Sequence, residues 1–164
     1  MINISFIGMA ACGKSTIGKA VADKIGVSFV DTDLLIEQKH EATLEEIKNK
    51  YDYKFVRDEE EKVILNLTPS NRIISTGGSA VYSAKSMEHL KKFSKVIYIN
   101  TPLEIIMQRI DIGQKRGLAV PEGMSIPEIY SEREPLYQKY CEIILDGSKT
   151  IDQLVDETIK QLHE

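Results

Sequence analysis

The chain has 164 residues, 42% of them apolar, enough for one domain with a real core. Its 25 acidic residues against 21 basic ones leave a net charge of −4, which argues against a nucleic-acid backbone as partner. No apolar run approaches the roughly 18 residues of a membrane span, and the first one is too short for a secretory leader. Cys12 and Cys141 make neither a disulfide framework nor a metal pattern. The expectation is a cytoplasmic, monomeric protein with a small-molecule ligand, no nucleic-acid partner and no membrane.

The first predicted element is a strand over residues 2–7, leading directly into Gly8-Met9-Ala10-Ala11-Cys12-Gly13-Lys14-Ser15. This is G-x-x-x-x-G-K-S without a mismatch, the phosphate-binding loop of nucleoside triphosphate users. The small residues Gly8, Ala11, Cys12 and Gly13 let the backbone curl so that successive N–H groups face phosphate oxygens. Lys14 can reach the β- and γ-phosphates, the Ser15 hydroxyl can ligate Mg²⁺, and Thr16 is taken as a further nucleotide contact. Ile17, Val21 and Ile25 follow at helical spacing, so a helix dipole points at the same anion. Cys12 reads as a small filler in the loop.

A second strand over 27–30 ends in Asp31-Thr32-Asp33, at the carboxyl end where an open α/β sheet gathers its ligands. One carboxylate there can bind Mg²⁺ through water and the other can accept a hydrogen bond from a substrate hydroxyl. Asp33 can equally cap the helix starting near Leu34. Helices fill residues 33–67, one opened by the capping-box pair Thr43 and Glu46. Arg57 sits in a charged helix before Asp58, Glu59, Glu60 and Glu61, where a weak i,i+4 pair with Glu61 is the plain alternative to a binding role.

A third strand over 72–75 ends in Ser75-Thr76-Gly77-Gly78-Ser79, whose glycines permit close backbone approach to a ligand. A fourth, over 96–99, is followed by Thr101-Pro102, a helix cap before proline. Residues 111–125 hold three glycines and Lys115-Arg116 without sustained periodicity, the pattern of a mobile lid carrying charge for a phosphate. Ser125 and Glu128 open the helix bearing Arg133, which Pro135 is expected to disrupt. A fifth strand over 143–145 precedes a helix capped by Thr150 and Gln153, with Ile151, Leu154, Val155, Ile159 and Leu162 on one face. The alternation predicts a three-layer α/β/α domain over 1–164 with a five-stranded parallel sheet.

The chain resembles the shikimate kinases, small relatives of the nucleoside monophosphate kinases. Phe29-Val30-Asp31-Thr32-Asp33, Ile36-Glu37-Gln38, Thr76-Gly77-Gly78 and Arg133-Glu134-Pro135-Leu136-Tyr137 match that family in order and approximate spacing. The resemblance implies a P-loop kinase fold and transfer of phosphate from ATP, with Mg²⁺, to a hydroxyl of shikimate. It implies ATP on Gly8, Gly13, Lys14 and Ser15, and Mg²⁺ on Ser15 and, through water, Asp31. Asp33 would orient or deprotonate the acceptor hydroxyl, while Arg57 and Arg133, with the Gly77-Gly78 backbone, would clamp its carboxylate. Arg116 would meet the transferring phosphoryl group, and Arg109 would lie against adenine.

The chain departs from the family pattern near the acceptor. Ser79 replaces a third glycine, Val56 a phenylalanine, Asp52-Tyr53 a Gly-Glu pair, and Gly117 the proline of an Arg-Pro pair. At this point a kinase with another hydroxy-acid or polyol acceptor, and a non-catalytic nucleotide-binding regulatory module, remain as alternatives.

Overall fold

Five short strands form one parallel sheet in the computed structural model, which describes residues 1–111 and 118–164, the Asp111 side chain apart. In chain order they are β1 (Asn3–Ile7), β2 (Ser28–Asp31), β3 (Arg72–Ser75), β4 (Lys95–Asn100) and β5 (Ile143–Asp146). Their spatial order is β2-β3-β1-β4-β5, with β1 registered against Arg72–Ser75 on one side and Lys95–Tyr98 on the other. The predicted five-stranded parallel sheet is therefore present.

Helices join the strands: α1 (Lys14–Ile25), α2 (Thr32–His40), α3 (Leu44–Lys50), α4 (Tyr53–Leu65), α5 (Ala84–Phe93), α6 (Leu103–Asp111), α7 (Ile126–Tyr140) and α8 (Ile151–Lys160). A single 3₁₀ turn, Ala80–Tyr82, follows β3. Ile4, Phe6, Ile73, Ile97 and Ile99 are fully buried on one face of the sheet and Ile7, Ile74 and Val96 on the other, as a covered parallel sheet requires. Each such side chain contributes about 1.5–3 kcal/mol on burial. A second cluster, Ile36, Ile47, Val56 and Ala119, joins α2, α3 and α4 to the end of the 111–125 stretch. No helix among the described residues is long and apolar enough to cross a membrane.

Local chemistry explains most element boundaries. Gly26 ends α1 in the left-handed region at φ 73°, and the N–H groups of Gly26 and Val27 both return to the Ala22 carbonyl. Val27 is thus spent on the helix cap, and β2 begins one residue later than the sequence pattern predicts. Thr43, Ser125 and Thr150 cap their helices as expected, Thr150 with the complete box. Asp31, rather than Asp33, caps α2: its side chain accepts from the N–H groups of Asp33 and Leu34. The Thr101 hydroxyl, expected as a helix cap, donates to the Cys12 carbonyl at 2.9 Å.

One expectation is overturned. Helix α7 runs through Pro135 without a break. Proline costs the helix a hydrogen bond and some strain, about 3 kcal/mol. Ile129, Arg133 and Tyr137 are buried along one face of this helix, before and after the proline, and that burial offsets the cost.

Candidate active site

The loop after β1 has the backbone its sequence demands. Gly8 and Gly13 lie at φ 150° and 105°, and a Cβ on Gly8 would come within 2.8 Å of both Cys12 Sγ and the Ile99 carbonyl oxygen. Ala11 takes a left-handed conformation at φ 64° without being glycine, a strain of about 1–2 kcal/mol. The Lys14 ammonium is buried and donates to the carbonyls of Gly8 and Met9 at 2.7 and 2.8 Å. Cys12 is buried, in the filler role expected of it.

This loop floors a cleft of about 290 Å³ lined by Ala11, Cys12, Gly13, Lys14, Ser15, Thr16, Asp33 and Arg109. Arg109 Nη1 donates to the Ala11 carbonyl at 2.8 Å, which fixes the guanidinium at the cleft wall. Gly147, Lys149, Ile151 and Leu154, from the β5–α8 connection, complete the far wall. Gly147 has little choice of side chain, since a Cβ there would meet Thr101 Oγ1 at 1.9 Å and Thr101 Cα at 2.9 Å. The sequence signal for this wall is only the turn Asp146-Gly147-Ser148 after a strand.

Ser15 Oγ donates to Asp31 Oδ2 at 2.6 Å and lies 3.1 Å from Ser75 Oγ. The other oxygen, Asp31 Oδ1, is occupied by the α2 cap. The group offers hard oxygen donors only. No cluster of three or more His, Cys, Asp or Glu occurs among the described residues. Such a set suits Mg²⁺, which binds through one or two side chains together with phosphates and water.

A second, narrower cleft of about 30 Å³ adjoins the first. Asp33 and Lys14 line both, so they stand at the junction of the two. Ala10, Ile36, Val56, Glu60, Gly78, Ser79, Leu118, Ala119 and Arg133 line the second cleft and not the first. Arg133 is 1% exposed, and its Nη2 has no hydrogen-bond partner among the described residues. Burial pushes its pKa down, but Tyr137 and Tyr82 outweigh that and the net direction is upward, so the charge is secure. A buried cation with a spare donor is a ready site for an anion.

Sequence reasoning missed Glu60, read only as part of a charged run. It is 2% exposed and accepts from the Gly77 N–H at 2.8 Å, the Ser79 hydroxyl at 3.0 Å and the Thr32 hydroxyl at 3.2 Å. Burial raises its pKa, opposed by these donors and by the Arg133 charge. The available signal was its spacing three residues after Arg57, on the same helical face. Ser79, where the family pattern has a third glycine, thus holds Glu60 rather than narrowing a bare turn.

Arg57 does not line the second cleft. Its Nε donates to the Ala119 carbonyl at 2.8 Å, and its guanidinium lies 3.8 Å over the Tyr82 ring and 4.8 Å over the Tyr53 ring. It borders an adjoining hollow with Glu60, Ser79 and Tyr82, and it has no ion pair with Glu61, which instead accepts from Ser83. Burial and the nearby Arg133 charge lower its pKa, while Tyr82 and Tyr53 oppose the shift. Arg116 lies among residues 112–117, outside the described residues, as do six of the fifteen residues of the proposed lid. Its trailing edge is seen, with Ala119 and Val120 buried.

Comparison with known proteins agrees with this geometry. A family model described as shikimate kinase matches residues 10–163. A shikimate kinase of Clostridium botulinum (strain Eklund 17B / Type B) is 36% identical over 157 residues, covering 96% of this chain and 94% of its own. One from Persephonella marina is 31% identical over 163 residues, covering 99% of both. The solved structure of Acinetobacter baumannii shikimate kinase in complex with shikimate superposes with a TM-score of 0.86 at 27% identity, covering 99% of this chain and 93% of that one. On its sequence, its fold and its paired clefts, the chain belongs to the shikimate kinase family.

Proposed function

We propose that the protein transfers the γ-phosphoryl group of ATP to a hydroxyl of shikimate, giving shikimate 3-phosphate and ADP. The carrying observation is the junction: Asp33 and Lys14 line both the phosphate-loop cleft and the cleft holding Arg133. ATP occupies the first, with its phosphates on the N–H groups of the loop and Lys14 released from the Gly8 and Met9 carbonyls by the stronger phosphate acceptors. Arg109 borders the nucleotide base. The acceptor enters the second cleft, its carboxylate on Arg133 with Arg57 alongside and the Gly77-Gly78 backbone near it.

At the junction Asp33 orients the attacking hydroxyl and takes its proton as the phosphorus–oxygen bond forms; ADP leaves with the electron pair of the broken bond. Ser15 and Asp31 would hold Mg²⁺, Asp31 through water, and the ion would neutralise charge on the β- and γ-phosphates. Arg116, carried by the lid, would do the same for the phosphoryl group in flight, and closure would keep water from competing. Every residue given a role here belongs to one chain, which supports a monomer, and the two free cysteines suit a reducing cytoplasm.

The test is ADP release by the purified protein from Mg·ATP, with shikimate and with a panel of other hydroxy acids. Strong stimulation by shikimate supports the reading. ATP binding without shikimate-dependent turnover sinks it and turns attention to Val56, Ser79 and Tyr53 as marks of another acceptor. Asp33→Asn in the same assay should abolish transfer while the protein stays folded.

A further inference from the structure

Tyr82 touches both arginines near the acceptor cleft. Its ring lies under the Arg57 guanidinium at 3.8 Å, and its hydroxyl accepts from Arg133 Nε at 3.3 Å. The same hydroxyl donates to Glu132 Oε1 at 2.7 Å. Three segments meet on one side chain: α4 through Arg57, α7 through Glu132 and Arg133, and the 3₁₀ turn that follows Gly77-Gly78-Ser79. Two cations so close repel one another. Tyr82 stands where that repulsion is reduced, offering its π-face closely to Arg57, more distantly at 5.4 Å to Arg133, and an oxygen lone pair to Arg133.

We infer that Tyr82 is the positioning residue of the acceptor-carboxylate site, setting Arg133 by its hydroxyl and Arg57 by its ring. This rests on the reading of Arg133 as the carboxylate ligand. Arg133 is buried with Nη2 unpartnered among the described residues, so the rotation of its fork decides where that donor points. Nε is the hinge of the fork, and the Tyr82 hydroxyl is what it donates to. Tyr82 need not touch the acceptor. It selects for a carboxylate by fixing the groups that do.

Discrimination tests this better than activity alone. Initial rates are measured for shikimate and its methyl ester, which lacks the charge, in the native enzyme, Tyr82→Phe, Tyr82→Leu and Arg133→Lys, with KM for ATP and thermal melting beside them. Tyr82→Phe keeps the ring and loses the hydroxyl, so the ratio of kcat/KM for acid over ester should fall ~3–5-fold. Tyr82→Leu loses both and should lower it ~10-fold or more through the acceptor KM, with KM for ATP unchanged. A mere loss of stability would depress both substrates alike and leave the ratio intact. An unchanged ratio in Tyr82→Phe and Tyr82→Leu, with Arg133→Lys impaired, overturns the inference and spares the carboxylate site. An Arg133→Lys enzyme that discriminates as the native one does overturns the reading beneath it. Should Tyr82→Leu fail to fold, the Tyr82→Phe ratio decides alone.

Discussion

Gly77→Ala is a small change with a large expected effect, because two carboxylates close on that one Cα. A Cβ on Gly77 would lie 2.2 Å from Glu60 Oε2 and 2.5 Å from Asp33 Oδ1. Real Cβ contacts essentially never fall under 3.0 Å, so with the backbone fixed Glu60 must retreat by about 0.8 Å and Asp33 by about 0.5 Å. Glu60 is buried and held by the Gly77 N–H, Thr32 and Ser79, so it yields poorly. Asp33, half-buried at the cleft junction, takes most of the displacement. If Asp33 takes the hydroxyl proton as proposed, a displacement approaching 1 Å there costs ~10²-fold in rate, about 2.7 kcal/mol in the barrier. Overpacking adds ~1–3 kcal/mol of lost stability. The assay is kcat/KM for shikimate at saturating Mg·ATP, paired with a melting curve and the Kd for ADP. Activity within threefold of native in a folded protein would show that the Gly77 approach does not position Asp33. A loss explained by weaker ADP binding would place the damage in the wrong cleft.

Three further outcomes are expected. Burial alone would raise the Glu59 carboxyl, but hydrogen bonds from Lys39, His40 and Lys62 hold it at about 2, below its ordinary 4.5. A depressed carboxyl stabilises the fold above the unfolded value and loses that contribution as pH falls from about 4.5 toward 2. Linkage sets a ceiling of ~3 kcal/mol, screened toward ~1 because Lys39 and Lys62 are largely exposed. Urea denaturation of Glu59→Gln should therefore show a shallower acid-side decline than the native chain, and identical profiles would remove Glu59 from the account. Arg109→Ala, which strips the Nη1 bond to the Ala11 carbonyl, should raise KM for ATP ~10-fold and leave that for shikimate unchanged. Ser79→Gly deletes one of three donors to Glu60 and should lower stability by ~1–2 kcal/mol in a melt, with transfer retained. No change in the melt would mean that water replaces the hydroxyl at no cost.

The sequence by itself determined what depends on neighbours in the chain. Strand positions came from short β-branched runs. Three helix starts came from a hydroxyl or amide three residues apart, a bond formed within one turn. The phosphate loop is the strongest case, because Gly8 through Ser15 supply the floor of the cleft, a cation and a hydroxyl within eight residues. Local reasoning failed at Pro135, where its cost was visible and the burial of Ile129, Arg133 and Tyr137 that offsets it was not. The rest is decided by segments far apart. Glu60 is a buried acceptor only because Gly77 and Ser79, 17 and 19 residues on, bring their donors to it. Arg57 meets Tyr82 and Ala119 across 25 and 62 positions, and Gly147 reaches the phosphate-loop cleft from the last sheet edge. Burial turns a charged residue from solvated surface into a determinant of a site, and burial is set by what the sheet and helices bring over it.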